Sequence, residues 1–171
     1  MLYWPRLAEQ LVTSRWIDKL FEPRLPLDFK PPPEKKKCPP LTEANQEIIM
    51  QEGGISLLAT TAAEADDVQT LRMVAGAIAN LCGNDKLQMK LRSEGGIKAL
   101  LGIVRCGHPD VLSQVARGIA NFVKCESRAC TQGIKNGRSF LIEDGALPWI
   151  VQNANDEDVP IRRHIELALC H

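Results

Sequence analysis

EGGISLLATTAAEADDVQTLRMVAGAIANLCGNDKLQMKLRSEGGIKALLGIVRCGHPDVLSQVARGIANFV, residues 52–123, sets out one plan twice. EGGI begins at Glu52 and again at Glu94, 42 residues on, and V-A-x-x-I-A-N begins at Val74 and again at Val115, 41 residues on. Two separate phrases recurring at nearly one period mark an internal repeat, the pattern that governs architecture before any other. In the first copy Ile48 and Ile49, the Gly53-Gly54 break, Ile55, Leu57 and Leu58, and a turn at Asp66-Asp67 outline two short helices. Leu71, Val74, Ala75, Ile78 and Leu81 then make the apolar side of a longer third. The second copy places its first helix over Asn84 to Ser93 and its second over Ile97 to Val104. Its third carries Leu112, Val115, Ala116, Ile119 and Phe122, with Pro109 and Asp110 at the start, where proline and an acidic residue suit a helix N-terminus.

A third copy is looser. EDGAL starts at Glu143, 49 residues after Glu94, and IELALCH closes the chain, so the extra residues around TQGIKNGRSF are expected to form a loop. Pro160, after Asp156-Glu157-Asp158, marks the start of its last helix. A three-helix unit of this length falls in the armadillo and HEAT size class. Small residues at Ala75, Gly76, Ala77 and Ala79 let neighbouring helices approach closely, as stacking requires. The fold expected is therefore all-α, an armadillo-type right-handed helical solenoid of two full repeats and a truncated third. In the last helix Ile165, Ala168 and Leu169 are expected to form a stripe awaiting a further unit, which would leave such an array marginally stable.

Composition agrees with this class. The 171 residues are 44% apolar but only 5% aromatic, a palette of Leu, Ile, Val and Ala that fills helical cores rather than β-sandwiches. Basic and acidic residues both number 21, so no global field draws the chain to nucleic acid or to an acidic membrane. The six cysteines, Cys38, Cys82, Cys106, Cys125, Cys130 and Cys170, form no C-x-x-C pair, and the N-terminus lacks a signal-peptide pattern. Reduced thiols in a cytoplasmic compartment follow. Residues 1–23 form a separate segment able to make a short helix, 24–40 form a Pro/Lys-rich linker, and 41–171 form the repeat domain.

The wording of the repeats is more specific than their period. TLRMVAGAIANLCGNDK, SEGGIKALLG, VARGIANFVKCESR, NGRSFLIEDGALPW and RRHIELALCH resemble the C-terminal armadillo domain of plant armadillo-repeat kinesins. The resemblance implies a kinesin-like, microtubule-associated protein whose armadillo tail binds partners or regulates the motor, with a cytoskeletal association. It carries over no motor activity, since neither P-loop nor heptad stalk is present in this sequence. The repeats themselves also fit an adaptor in signalling or protein turnover unrelated to motors, the two being told apart by a motor domain encoded upstream.

Peptide-binding armadillo proteins repeat an asparagine on the third helix of each unit, whose amide can both donate to and accept from an extended peptide backbone. Asn80 and Asn121 hold that place here, 41 residues apart, with His171 a further 50 on. Each serves either a peptide or a helix-to-helix hydrogen bond. The tryptophan that forms lysine slots four residues earlier in importin-type proteins is replaced by Gly76, Arg117 and Leu167, which argues against nuclear-signal binding. Arg117, Lys124, Arg128, Lys135 and Arg138 form a basic cluster able to meet an acidic partner or to remain solvated. Cys106 with His108 supplies too few ligands for zinc, and His164, Glu166 and His171 do not have the order of a zinc-protease motif. No catalytic residue, metal or cofactor is expected.

Overall fold

A computed structural model of the chain describes residues 43–171, which pack as one compact unit. The expectations for residues 1–23 and 24–40, and for Cys38, lie outside the described residues. Those that are described form helices and turns with no strand.

The first repeat comprises α1 (Glu43–Gln51), α2 (Gly54–Glu64) and α3 (Val68–Leu81). The second has a 3-10 turn (Asp85–Leu87), α4 (Gln88–Ser93), α5 (Gly96–Gly102), another 3-10 turn (Ile103–Cys106) and α6 (Pro109–Thr131). The third has α7 (Phe140–Glu143), α8 (Leu147–Gln152) and α9 (Val159–Leu169). Each first helix breaks into its second at a glycine with a left-handed backbone: φ is 74° at Gly53, 81° at Gly95 and 83° at Gly145. A side chain there would meet the Cβ penalty that glycine escapes, so the EGG phrase spells the corner. The turn glycines fall 42 and 50 residues apart, one more in the second interval than the spacing of the acidic residues Glu94 and Glu143 indicated. Asp144, not Glu143, is thus the residue equivalent to Glu94.

The third helices begin in the same register. The Asp67 carboxylate accepts from the Thr70 N–H at 2.8 Å, His108 Nδ1 accepts from the Asp110 N–H at 3.3 Å, and the Asp158 carboxylate accepts from the Ile161 N–H at 3.3 Å. Each satisfies one of the donors a helix start leaves unpaired. The Thr70 N–H, then the Thr70 hydroxyl, hold the Asp67 carboxyl below its ordinary value. Pro109 and Pro160 follow the second and third caps, where a missing N–H costs nothing.

Packing runs along the chain: α3 lies on α6, α6 on α9, and α2 on α5. One core links the repeats through Ile55, Ile78, Leu91, Ile97, Leu100, Val115, Ile119, Phe122, Leu141, Ile161 and Ile165. Gly118 on α6 has no room for a side chain: an added Cβ would stand 2.7 Å from Leu100 Cδ2 on α5 and 3.3 Å from Ala79 Cα on α3. Gly118→Val should therefore push α6 off α3 and destabilise the protein by about 1–3 kcal/mol, read as a lower urea midpoint at unchanged m-value. Full retention of stability would show that the two helices are not held at this distance.

Polar ties supplement the core. Arg105 Nη2 donates to the carbonyls of Ala62, Ala63 and Ala65 at 2.8, 3.2 and 3.3 Å, satisfying the end of α2 from the next repeat. Lys90 Nζ donates to Met50 O at 2.8 Å, and Arg92 reaches forward to Asp144 at 3.1 Å and Glu143 at 2.8 Å.

The stripe expected on the last helix needs correction. Ile165 and Ala168 are buried, together with Ile161, at the i, i+4, i+7 spacing that turns toward α6. The large apolar residues α9 leaves exposed are Val159, Leu167 and Leu169, which lie off that face.

Candidate functional site

Helices α3, α6 and α9 form a row, and residues one turn apart bring a set of polar side chains onto one side of it. Gly76 and Asn80 come from α3, Gln114, Arg117 and Asn121 from α6, and His164 from α9; all are partly exposed. Arg117 reaches from α6 to α3. Its Nη1 donates to Asn80 Oδ1 at 3.0 Å and its Nη2 donates to Gly76 O at 3.2 Å. The absent side chain at Gly76 leaves this path open, since an added Cβ would stand 3.9 Å from Arg117 Nη2 and any longer group would block it. Asn121 makes a parallel crossing, Nδ2 donating to Ala79 O at 2.9 Å.

Each asparagine thus spends one half of its amide on the neighbouring helix. Among the described residues the other halves, Asn80 Nδ2 and Asn121 Oδ1, make no hydrogen bond, so the row presents one donor and one acceptor on adjacent helices. Such a pair matches the alternating carbonyls and N–H groups of an extended chain. His171, the third position of the series, is exposed and lines a separate cavity of about 450 Å3 with Val123, Cys130, Leu141, Ile150 and Leu169.

The five cations do not share one surface. Arg117 belongs to the asparagine row. Arg128 lies 3.3 Å from the Asp85 carboxylate, and Lys135 turns inward onto the buried Glu126 while its Nζ sits 3.6 Å from the Phe140 ring centroid. Lys124 and Arg138 are exposed. Arg117 has no carboxylate within ion-pair distance among the described residues, and its Nε–H is buried without a partner. Burial holds its guanidinium below the ordinary arginine value.

Burial first, then the positive charges of Arg117 and Arg163, likewise hold His164 below its ordinary value of 6.5. The unfolded chain therefore takes up this proton more readily than the folded one, and stability should fall as pH drops below about 6.5, until the folded-state imidazole also titrates. His164→Gln is expected to flatten that part of the acid limb, measured as the urea midpoint at pH 7.5 against pH 5.5. Equal losses in parent and variant would remove His164 from the account.

Two glutamines escaped the sequence reading. Gln46 Nε2 donates to Asn80 O at 3.4 Å and Gln88 Nε2 donates to Phe122 O at 2.8 Å, so in the first two units the first helix is tied to its own third helix at or beside the asparagine. Their spacing of 42 residues repeats that of EGGI and was a signal available in the sequence.

Over 74 residues, 43% of its length, the chain is 86% identical to kinesin-like protein KIN-UB of Arabidopsis thaliana, and over 73 residues, again 43%, it is 81% identical to kinesin-like protein KIN-UA of the same plant. Each match spans 8% of the relative, so the chain covers less than a tenth of either protein by similarity. A 24-residue stretch, 14% of the chain, is 79% identical to 6% of the U1 small nuclear ribonucleoprotein 70 kDa of Arabidopsis thaliana. No family model and no solved structure matches the chain.

Proposed function

We propose that this chain, related by sequence to the plant kinesin-like proteins, is a non-enzymatic protein-binding segment built as an armadillo-type right-handed solenoid. Its ligand is an extended segment of a partner protein, laid along the row of α3, α6 and α9. Support for the solenoid comes from a three-helix plan met three times, with third-helix caps in register at Asp67, His108 and Asp158. The kinesin-like relatives support a cytoskeletal association and a cytoplasmic location. Among the described residues no helix is long and apolar enough to cross a membrane.

The observation that carries the reading is the half-used pair of amides at Asn80 and Asn121. Both residues are partly exposed, and each leaves one half of its amide unused by the protein, Asn80 Nδ2 as a donor and Asn121 Oδ1 as an acceptor. The test uses a fluorescein-labelled decapeptide of alternating Ser and Gln and the double variant Asn80→Ala/Asn121→Ala. The variant should lose about 1–3 kcal/mol of stability, because Arg117 loses an acceptor and Ala79 O loses a donor. It should also bind the peptide at least about tenfold more weakly, the loss of one charge-free hydrogen bond pair. A drop in stability with unchanged peptide binding would make the amides helix-to-helix ties and defeat this reading.

A further inference from the structure

We propose that the segment received by this row is acidic, and that Arg117 takes the carboxylate of a partner Asp or Glu between the two asparagines. The inference rests on the peptide-binding reading above and adds the chemistry of the ligand.

Its starting point is a contrast among the cations. Arg92 meets Asp144 and Glu143, Lys135 meets Glu126, Arg128 meets Asp85, and Lys86 lies near Glu43 and Glu47. Arg117 is more enclosed than Lys86 or Arg128, yet the atoms it touches are neutral: an amide oxygen and a main-chain carbonyl. A half-buried guanidinium without a counter-charge is costly unless something supplies one.

The geometry around it favours an anion from outside. Two of the five guanidinium N–H groups are spent on Asn80 and Gly76, and the Nε–H is buried, which leaves one N–H on each terminal nitrogen. Each is a charge-assisted donor for which a carboxylate oxygen is the strongest natural acceptor. Gly76 presents no side chain beside these donors, so a peptide backbone can come close. On α9, His164 lies close enough to feel the positive charges of Arg117 and Arg163, so that helix brings this region positive rather than negative potential. A lysine-rich segment would be repelled and would find no tryptophan shelf for its stem, those positions being Gly76, Arg117 and Leu167.

Three labelled decapeptides, Ser alternating with Glu, Gln or Lys, separate the possibilities by fluorescence anisotropy on the full 171-residue chain. The Glu peptide should bind about tenfold more tightly than the Gln peptide, and the preference should shrink as salt rises. Arg117→Met should erase the preference, the Glu peptide then binding no more tightly than the Gln peptide. Gln114→Glu is the second variant, since Gln114 and Arg117 both approach the space beside Gly76; its carboxylate should occupy Arg117 from within and abolish the preference without removing the arginine. Equal binding of the Glu and Gln peptides by the parent chain overturns the acidic assignment and leaves the peptide row standing. Saturable binding of none of the three overturns both. A preference that survives in Gln114→Glu and in a cooperatively melting Arg117→Met removes Arg117 from the role.

Discussion

Glu126→Ala is expected to cost about 3–5 kcal/mol, the usual penalty when one partner of a buried ion pair is removed and the other stays behind. Glu126 is buried near the end of α6, and its carboxylate organises everything that follows. One oxygen accepts from Lys135 Nζ and, at 2.7 Å, from the Phe140 N–H; the other accepts from the Ser139 hydroxyl at 2.5 Å. Lys135 is nearly as enclosed, with 11% of its side chain exposed, so alanine at 126 would leave its ammonium without a counter-charge and with the Arg138 carbonyl as its remaining acceptor. Phe140, which opens α7, has Lys135 Nζ 3.6 Å and Arg92 Cζ 4.3 Å from its ring centroid. Losing Glu126 therefore loosens the turn of residues 132–139 and the seat of the third repeat together. The double variant Glu126→Gln/Lys135→Met should recover much of the loss, because it removes the stranded charge and keeps an acceptor for Phe140. Urea unfolding of the three proteins checks this, and a single variant within 1 kcal/mol of the parent, on the order of an exposed pair, would mean that the carboxylate is solvated after all.

This carboxylate also shows where sequence reasoning stops. The repeat period, the left-handed glycines at 53 and 95, and the proline-marked starts of α6 and α9 are local features: each depends on backbone geometry a few residues wide, and each was legible. So was the insertion around TQGIKNGRSF, whose middle forms the turn between Thr131 and Phe140. The 3-10 turns at Asp85–Leu87 and Ile103–Cys106 were not, because a tighter hydrogen-bond step leaves almost the same apolar spacing as an α-turn. Burial of charge was equally hidden. Lys135 was read with Arg128 and Arg138 as part of a basic surface, but its sign says nothing about a partner nine residues earlier that pulls it inward. For the candidate site, the sequence placed Asn80, Asn121 and Arg117 on third helices, and the structure joins them through bonds that cross from α6 to α3. The direction of those bonds, Arg117 toward Asn80 and Asn121 toward Ala79, depends on how the helices stack and has no local signature.

Phe122→Ala should produce the other large loss, about 3–5 kcal/mol, as expected for emptying a fully enclosed aromatic site in a core that cannot collapse around it. Phe122 has no exposed surface and follows Asn121, just as the equally buried Leu81 follows Asn80 one repeat earlier. Its carbonyl also accepts from Gln88 at 2.8 Å, so the residue fixes α6 to its own repeat by backbone and to the shared core by side chain. Alanine would leave a void on the inward side of the helix that carries Arg117 and Asn121 outward, and the register of the asparagine row would loosen with it. Phe122→Leu is the informative companion, since it installs the residue that the first repeat uses at the same place. It should cost less than about 1.5 kcal/mol, the range for an apolar swap of similar volume. Peptide affinity should follow the same order, nearly unchanged in Phe122→Leu and reduced in Phe122→Ala, because only the latter frees α6 to shift against α3. Comparable small losses in the two variants would mean that the ring fills no unique space, and that the row is positioned by Gly118 and the polar ties alone.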